Sequence, residues 1–395
     1  MTRAYDNATL RRLLNEEEHA EVNGADILLK KATPDDRPGY LDPWLLSREE
    51  ELRKLPSPVP KPGLTFLWSM LFRPEKLLIQ IRDTAQGIVL SPDADSAIDL
   101  TTEEVLVFRQ ELVLWKKTNT LWRYEKKATS QARRPCLLHL HGGGFFAGKP
   151  TGHDRFLKYI AEQADAVVFD LDYSLSPEHK FPHAVNEAYA AVRHIHDHAD
   201  EYGIDPVRIA IGGGSAGGNL SAVTALRAKA EGTPIIALQI LMNAVVMMGT
   251  SRPPGYTWSP ADFHVADAMK KHAGRIVDPA RDRNLKVMLD PYRGGESTDN
   301  PYLSPAMAED LTGLPRALVI TAEMDSLRPQ AEHYAGQLVQ AGVPVKAIRY
   351  LGIKHDTPAH FSQVPQAEAI ALEIVAAIND LPAAPGTDAI HQKGT

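Results

Sequence analysis

The sequence predicts an α/β fold: a mostly parallel central sheet flanked by helices, with a helical cap over one end. Three observations carry that expectation. Short apolar, β-branched runs alternate with segments of helical period from about Leu100 onward, and such alternation gives a mostly parallel sheet covered on both faces. Two of the runs lead into glycine-rich turns, His141–Phe146 (HGGGFF) and Ile211–Leu220 (IGGGSAGGNL). Two later runs end in chemistry-bearing residues: Ala317–Ser326 (ALVITAEMDS), and Val345–Leu351 (VKAIRYL) followed by Gly352–Asp356 (GIKHD).

Val105–Trp115 and Leu121–Lys126, rich in Val, Leu and Trp, read as an antiparallel strand pair. Cys136–His141 is a buried strand feeding the first glycine run. Asp154–Gln163 forms a helix with Phe156 and Ile160 on one face, and Ala166–Leu171 (AVVFDL) is the next strand. In His183–His198 the apolar Val185, Tyr189, Val192 and Ile195 follow helical spacing. The strand Val207–Ile211 enters the second glycine run, and Ala216–Ala230 leaves it as a helix. Ile235–Leu241 is a strand, Ala331–Ala341 a helix, and Ile370, Ile374 and Ile378 line a final helix. Two segments stand outside the alternation. Met1–Ser96 carries helix-friendly charge and then an aromatic patch, Leu64–Phe72 (LTFLWSMLF). Val245–Leu311 is irregular, with Met247, Met248, Tyr256, Trp258 and Phe263 among prolines and glycines. The expected division is a 1–100 extension contributing to the cap, a 101–381 core with a cap insertion at about 245–311, and a 382–395 tail.

Composition narrows the function. A chain of 395 residues accommodates one domain plus a cap. A net charge of −7 without a long basic run argues against a nucleic-acid partner. The longest apolar run, Pro234–Gly249, is too short to span a bilayer and holds Gln239 and Asn243. The N-terminus, MTRAYDNATLRRLLNEEE, lacks an apolar leader core, so the expectation is a cytoplasmic protein with no membrane partner. The single cysteine, Cys136, reads as a buried structural thiol. Of His194, His196 and His198, only the first and last share a helix face; a solvated surface is expected there, and no metal.

The chemistry lies in the glycine runs and the two late strand ends. Gly213-Gly214-Ser215-Ala216-Gly217 is a G-x-S-x-G pattern after a strand, the setting of a nucleophile elbow that lifts a serine Oγ above the sheet. Small residues are needed because that turn is strained and backbones pass closely. The run after His141 leaves amides uncovered by side chains, free to bind an oxyanion. Such elbows are followed along the chain by an acid and then a histidine. Asp325 is the candidate acid, with Glu323 its competitor, and His355 is the candidate general base. No metal or organic cofactor is required.

These stretches, together with Asp172–His179 (DYSLSPEH), Phe181-Pro182, Asn300–Pro305 (NPYLSP) and Asp325–Arg328 (DSLR), resemble the hormone-sensitive-lipase-type carboxylesterases of the α/β-hydrolase fold over about Leu100–Leu381. The resemblance implies a serine carboxylesterase acting on small-to-medium carboxylic esters through Ser215, His355 and Asp325. It implies an oxyanion hole from the N–H groups of Gly143, Gly144 and Ala216. A lid built from the N-terminal segment and the insertion would place Trp68, Phe72, Phe145, Met247 and Trp258 at the substrate. Asp172, Glu178 and His179 would brace the loops beneath. Three departures stand out: Gly214 where the family usually has Asp, Asp356-Thr357 where it usually has Gly-Phe, and the long N-terminal segment. A lactonase or amidase with the same triad, and a non-catalytic small-molecule receptor on the same fold, remain open alternatives. The partner expected is a small-molecule ester, and homo-oligomerisation is left open.

Overall fold

In the computed structural model the described residues are 3–15, 18–32, 39–52, 54, 68–69, 72–89, 98–129, 133–249, 251–273, 289–355 and 357–383. Ten strands, β1 (Glu18–Val22), β2 (Ala25–Lys30), β3 (Val105–Leu114), β4 (Lys117–Lys126), β5 (Arg134–Leu140), β6 (Val167–Leu171), β7 (Ile204–Gly214), β8 (Leu238–Met242), β9 (Arg316–Met324) and β10 (Val345–Lys354), form one sheet. Their spatial order is β1-β2-β10-β9-β8-β7-β5-β6-β4-β3. The strands from β2 to β6 in that order pair in parallel. The β1–β2 and β3–β4 hairpins and the β4–β6 pair are antiparallel.

The central strands are apolar runs because both faces are covered. Every residue of β5, β6 and β8 is buried. One face packs against α5 (His183–Asp197), α6 (Ala216–Ala230) and α7 (Arg328–Gln340); the other packs against α1 (Asn7–Asn15), α4 (Asp154–Gln163) and α8 (Pro365–Asn379). Phe156, Leu157 and Ile160 of α4 are essentially fully buried, worth roughly 1.5–3 kcal/mol each. The parallel strands all present their carboxyl ends to the same edge, and both glycine runs, Asp325 and His355 emerge there.

The extension does not serve the cap as one block. Residues 18–30 form a hairpin that adds two strands to the sheet, with Ile27 paired to Ala347 of β10. Its turn, Asn23-Gly24, has φ of 51° and 81°, the left-handed pair that a two-residue hairpin requires. Helix α1 buries Leu10 and Leu13 against the α8 side, and α2 (Pro43–Leu52) follows, with Leu45 in the same core. A third helix, α3 (Pro74–Val89), ties Arg82 to Glu178 at 2.5 Å and Glu75 to Lys180 at 2.8 Å. The patch Leu64–Phe72 lies outside the described residues except Trp68, Ser69 and Phe72, as do most of the 382–395 tail and Asp356.

At the C-terminal end of α5 the rings of His194 and His198 are already engaged. His194 Nε2 meets Tyr202 Oη at 3.0 Å, His198 Nδ1 donates to the His194 carbonyl at 2.8 Å, and the two rings stack at 4.0 Å. Cys136 is fully buried, and burial pushes its thiol well above the usual range.

Candidate active site

The site begins at the end of β7. Ser215 sits at φ 56°, ψ −113°, a strained backbone for a residue with a Cβ. It is held there by its neighbours: its N–H donates to the Met242 carbonyl at 2.8 Å, and its carbonyl accepts from Val245 N–H at 3.2 Å. A Cβ on Gly213 would lie 2.1 Å from the Leu140 carbonyl oxygen, and one on Gly217 only 1.8 Å away. The two outer glycines of the G-x-S-x-G pattern are therefore fixed by the approach of β5. Asn219 ties the first turn of α6 to the carbonyls of Val245 (2.6 Å) and Leu303 (2.9 Å).

The first glycine run turns back over this elbow. Gly143 (φ 119°) and Gly144 (φ 61°) are left-handed, and the Gly143 carbonyl accepts from Ala147 N–H at 2.9 Å. Among the described residues nothing accepts from the N–H groups of Gly143, Gly144 or Ala216. His141 braces the turn: its Nδ1 donates to the Gly142 carbonyl at 2.8 Å, and its ring stacks on Tyr173 at 4.2 Å. Burial lowers its pKa to about 4, so it stays neutral.

From β9 and β10 come the acid and the histidine. Asp325 is 2% exposed; its Oδ2 lies 2.7 Å from His355 Nδ1, and its Oδ1 accepts from Leu327 N–H at 2.9 Å. Glu323 is committed elsewhere, accepting from Gly352 N–H at 2.8 Å and Gly39 N–H at 3.2 Å. The geometry thus separates the two carboxylates: only Asp325 orients the ring. Ser215 and His355 line one cavity with Gly142, Gly214, His139, His153, Phe156, Met242, Asn243 and Pro358. The space open to a water there is about 20 Å³, room for a single molecule.

None of the five expected pocket residues lines this cavity. Phe145 is fully buried and stacks on Tyr292 at 4.0 Å, and Met247 is a core residue whose N–H donates to Gln330. Trp68 and Phe72 are exposed and pack on each other at 5.8 Å, while Trp258 lies beside Phe263 in the insertion. The loop brace also differs from expectation. Glu178 faces Arg82 at the surface, and Glu187, fully buried, takes the bracing role by accepting from Ser174 N–H and Oγ at 2.7 and 2.6 Å. His139 was not singled out from the sequence; it is buried at the cavity with Nδ1 2.8 Å from Asp170. The available signal was a histidine two residues before His141 in an otherwise apolar strand.

A further buried carboxylate, Asp42, lies against Gly352 of β10, near Glu323. Its N–H donates to the Gly352 carbonyl at 2.8 Å, and it caps α2 by accepting from Leu46 N–H at its carbonyl. Burial, with the neighbouring Glu323 charge, raises its pKa from 3.8 to about 7. The folded state thus holds a proton that the unfolded chain releases, so stability falls as pH rises from about 4 to about 7 and then levels. Asp42→Asn keeps a capping residue and removes this cost. It is expected to raise unfolding free energy at pH 8 by up to about 4 kcal/mol and to change little at pH 4. Urea titrations at the two pH values check this; an equal effect at both would show that Asp42 is ionised alike in the folded and unfolded states.

The sequence profile of the alpha/beta hydrolase fold family matches residues 137–359. Esterase LipI of Mycobacterium tuberculosis is 34% identical over 239 residues, 60% of this chain and 70% of that one. An arylesterase of Saccharolobus solfataricus is 34% identical over 222 residues, 55% of this chain and 67% of that one. Among solved structures, the carboxylesterase EstE1 from a metagenomic library superposes with a TM-score of 0.65 at 31% identity, covering 80% of this chain and 99% of that one. The chain belongs to the alpha/beta hydrolase fold family. Within it, the chain stands with the hormone-sensitive-lipase-type esterases as a carboxylic ester hydrolase.

Proposed function

We propose that this enzyme hydrolyses small-to-medium carboxylic esters through an acyl-enzyme on Ser215. The observation that carries the reading is the 2.7 Å bond between His355 Nδ1 and Asp325, with His355 sharing a cavity with a serine on a strained elbow. Donation of Nδ1–H to Asp325 fixes the tautomer in which Nε2 carries no proton and can accept one. Nε2 takes the Ser215 Oγ proton as Oγ bonds to the ester carbonyl carbon, and Asp325 stabilises the imidazolium formed. The displaced π pair becomes an oxyanion, which the amides of Gly143, Gly144 and Ala216 would receive; one such donor is worth roughly 3–4 kcal/mol in kcat. The imidazolium returns its proton to the leaving alkoxide. Water, deprotonated by the same Nε2, then attacks the acyl carbonyl; the C–Oγ bond breaks, Ser215 Oγ takes the proton back from the imidazolium, and the acid leaves. The single cysteine, fully buried, suits a reducing compartment and supports a cytoplasmic location.

The reading is tested with p-nitrophenyl esters from C2 to C12 and with an alkyl fluorophosphonate, followed by peptide mass mapping. Turnover is expected to peak at short to medium chains, with the phosphonyl adduct on Ser215 and none on Ser215→Ala. An adduct elsewhere, hydrolysis retained by Ser215→Ala, or faster turnover of emulsified long-chain triglyceride would each overturn it.

A further inference from the structure

The two edges of the sheet differ in kind. At one edge, β1 is five residues long and carries Glu18 and Glu21, a short, charged strand of the sort that resists pairing. At the other, β3 runs ten residues with no strand beyond it among the described residues, and Val107, Phe108, Val113 and the adjoining Trp115 are exposed, Val113 to 77%. We propose that β3 is the interface for a second copy of this chain, pairing antiparallel about a two-fold axis through Gln110 and joining two ten-stranded sheets into one.

The hydrogen-bonding pattern permits this register, and the charges select it. The β3–β4 hairpin closes on Leu114 and Lys117 around a two-residue loop, Trp115-Lys116, with Trp115 at φ 56°. In such a hairpin the closing residues exchange hydrogen bonds, and bonded pairs then alternate along the ladder. Leu114, Leu112, Gln110 and Phe108 therefore face β4, and the backbone N–H and C=O groups of Val113, Glu111, Arg109 and Val107 point to the free edge. Two such edges can meet only when outward-pointing residues oppose each other. With the axis at Gln110, Arg109 faces the partner copy's Glu111 twice, Val107 faces Val113, and Phe108 faces Leu112. Sliding by one step either way puts Arg109 opposite its own copy or Glu111 opposite its own, and like charges directly opposed are destabilising.

Charges on an edge usually keep a strand apart from others. Here the two have opposite sign and straddle the axis, so a two-fold pairing satisfies both. In the monomer they can only reach each other along one strand, at 3.1 Å and more than half exposed, a geometry worth little.

The test is the mass of the full chain by sedimentation equilibrium and light scattering at tens of micromolar. Wild type is expected to be a dimer. Arg109→Glu and Glu111→Arg each place four like charges at the axis and are expected to weaken association at least about 100-fold, giving monomers. The double swap, Arg109→Glu with Glu111→Arg, restores the pairs in reverse and is expected to recover the dimer. Hydrolysis of a p-nitrophenyl ester reports that each variant is folded, since β3 lies at the sheet edge away from the site. A monomeric wild type, a dimer that survives both single changes, or a double swap that stays monomeric would each overturn the proposal.

Discussion

Asp325→Asn is expected to lower kcat by about 10⁴-fold, close to 5.5 kcal/mol of barrier, while leaving folding and KM near wild type. The fold should survive because the asparagine oxygen can still accept the Leu327 N–H that Asp325 Oδ1 now accepts at 2.9 Å. The chemistry should not. An amide NH₂ would then face His355 Nδ1, where a carboxylate oxygen now lies at 2.7 Å. The ring would be driven to the opposite tautomer, with its proton on Nε2, where it cannot take the Ser215 proton. Glu323→Gln is the matched comparison, two residues away on the same strand end. Glu323 holds the Gly352 and Gly39 amides and makes no bond to His355. Its loss is expected to cost activity within about tenfold, through slight loosening of the β10 exit. Steady-state kinetics on the two variants decide the matter. A Glu323→Gln enzyme as damaged in kcat as Asp325→Asn would mean that the ring is oriented through both carboxylates.

What was legible in the sequence is what local patterning encodes. Buried parallel strands are mostly apolar, so β5, β6, β8 and β9 stand out from the helices between them. The elbow is legible because only glycine fits where β5 crosses at Gly213 and Gly217. The N-terminal hairpin is equally local, an Asn-Gly turn between two short strands, but it sits in a segment whose charge suggests helix. Contacts distant in sequence are a different case. Phe145 follows the glycine run as a pocket residue would, yet Tyr292 stacks on it and closes it off from solvent. Nothing near Phe145 in the chain reports that neighbour. Likewise Glu187, on α5, braces Ser174, and Asp42, in the extension, lies against Gly352 of β10. Each depends on how separate elements dock, which periodicity and motif spacing do not contain.

Glycine at position 214 has a physical reading in the packing around the elbow. Two glycines flanking the nucleophile, Gly214 and Gly217, differ sharply in what a methyl group would meet. At Gly217 it would lie 1.8 Å from the Leu140 oxygen and 2.8 Å from the His141 oxygen, both backbone atoms that cannot swing aside. Gly217→Ala must therefore push α6 away from β5, separating Ser215 from the glycine amides that follow His141. The expected cost is on the order of 3 kcal/mol of stability, with kcat/KM down at least about 100-fold from displacement of the reacting groups. At Gly214 the nearest atom to a methyl is the Met242 oxygen at 3.9 Å, ordinary contact, and no left-handed φ is required. Gly214→Ala should therefore change stability by no more than about 0.5 kcal/mol and leave hydrolysis nearly intact. The elbow thus demands glycine on its outer positions and merely tolerates it beside the serine, so position 214 is open to other side chains without loss of the turn. Urea unfolding and ester hydrolysis on the two alanine variants measure the contrast. Equal, mild effects would show that the β5–α6 contact relaxes by an ångström without disturbing Ser215, and the steric account of the elbow would fail.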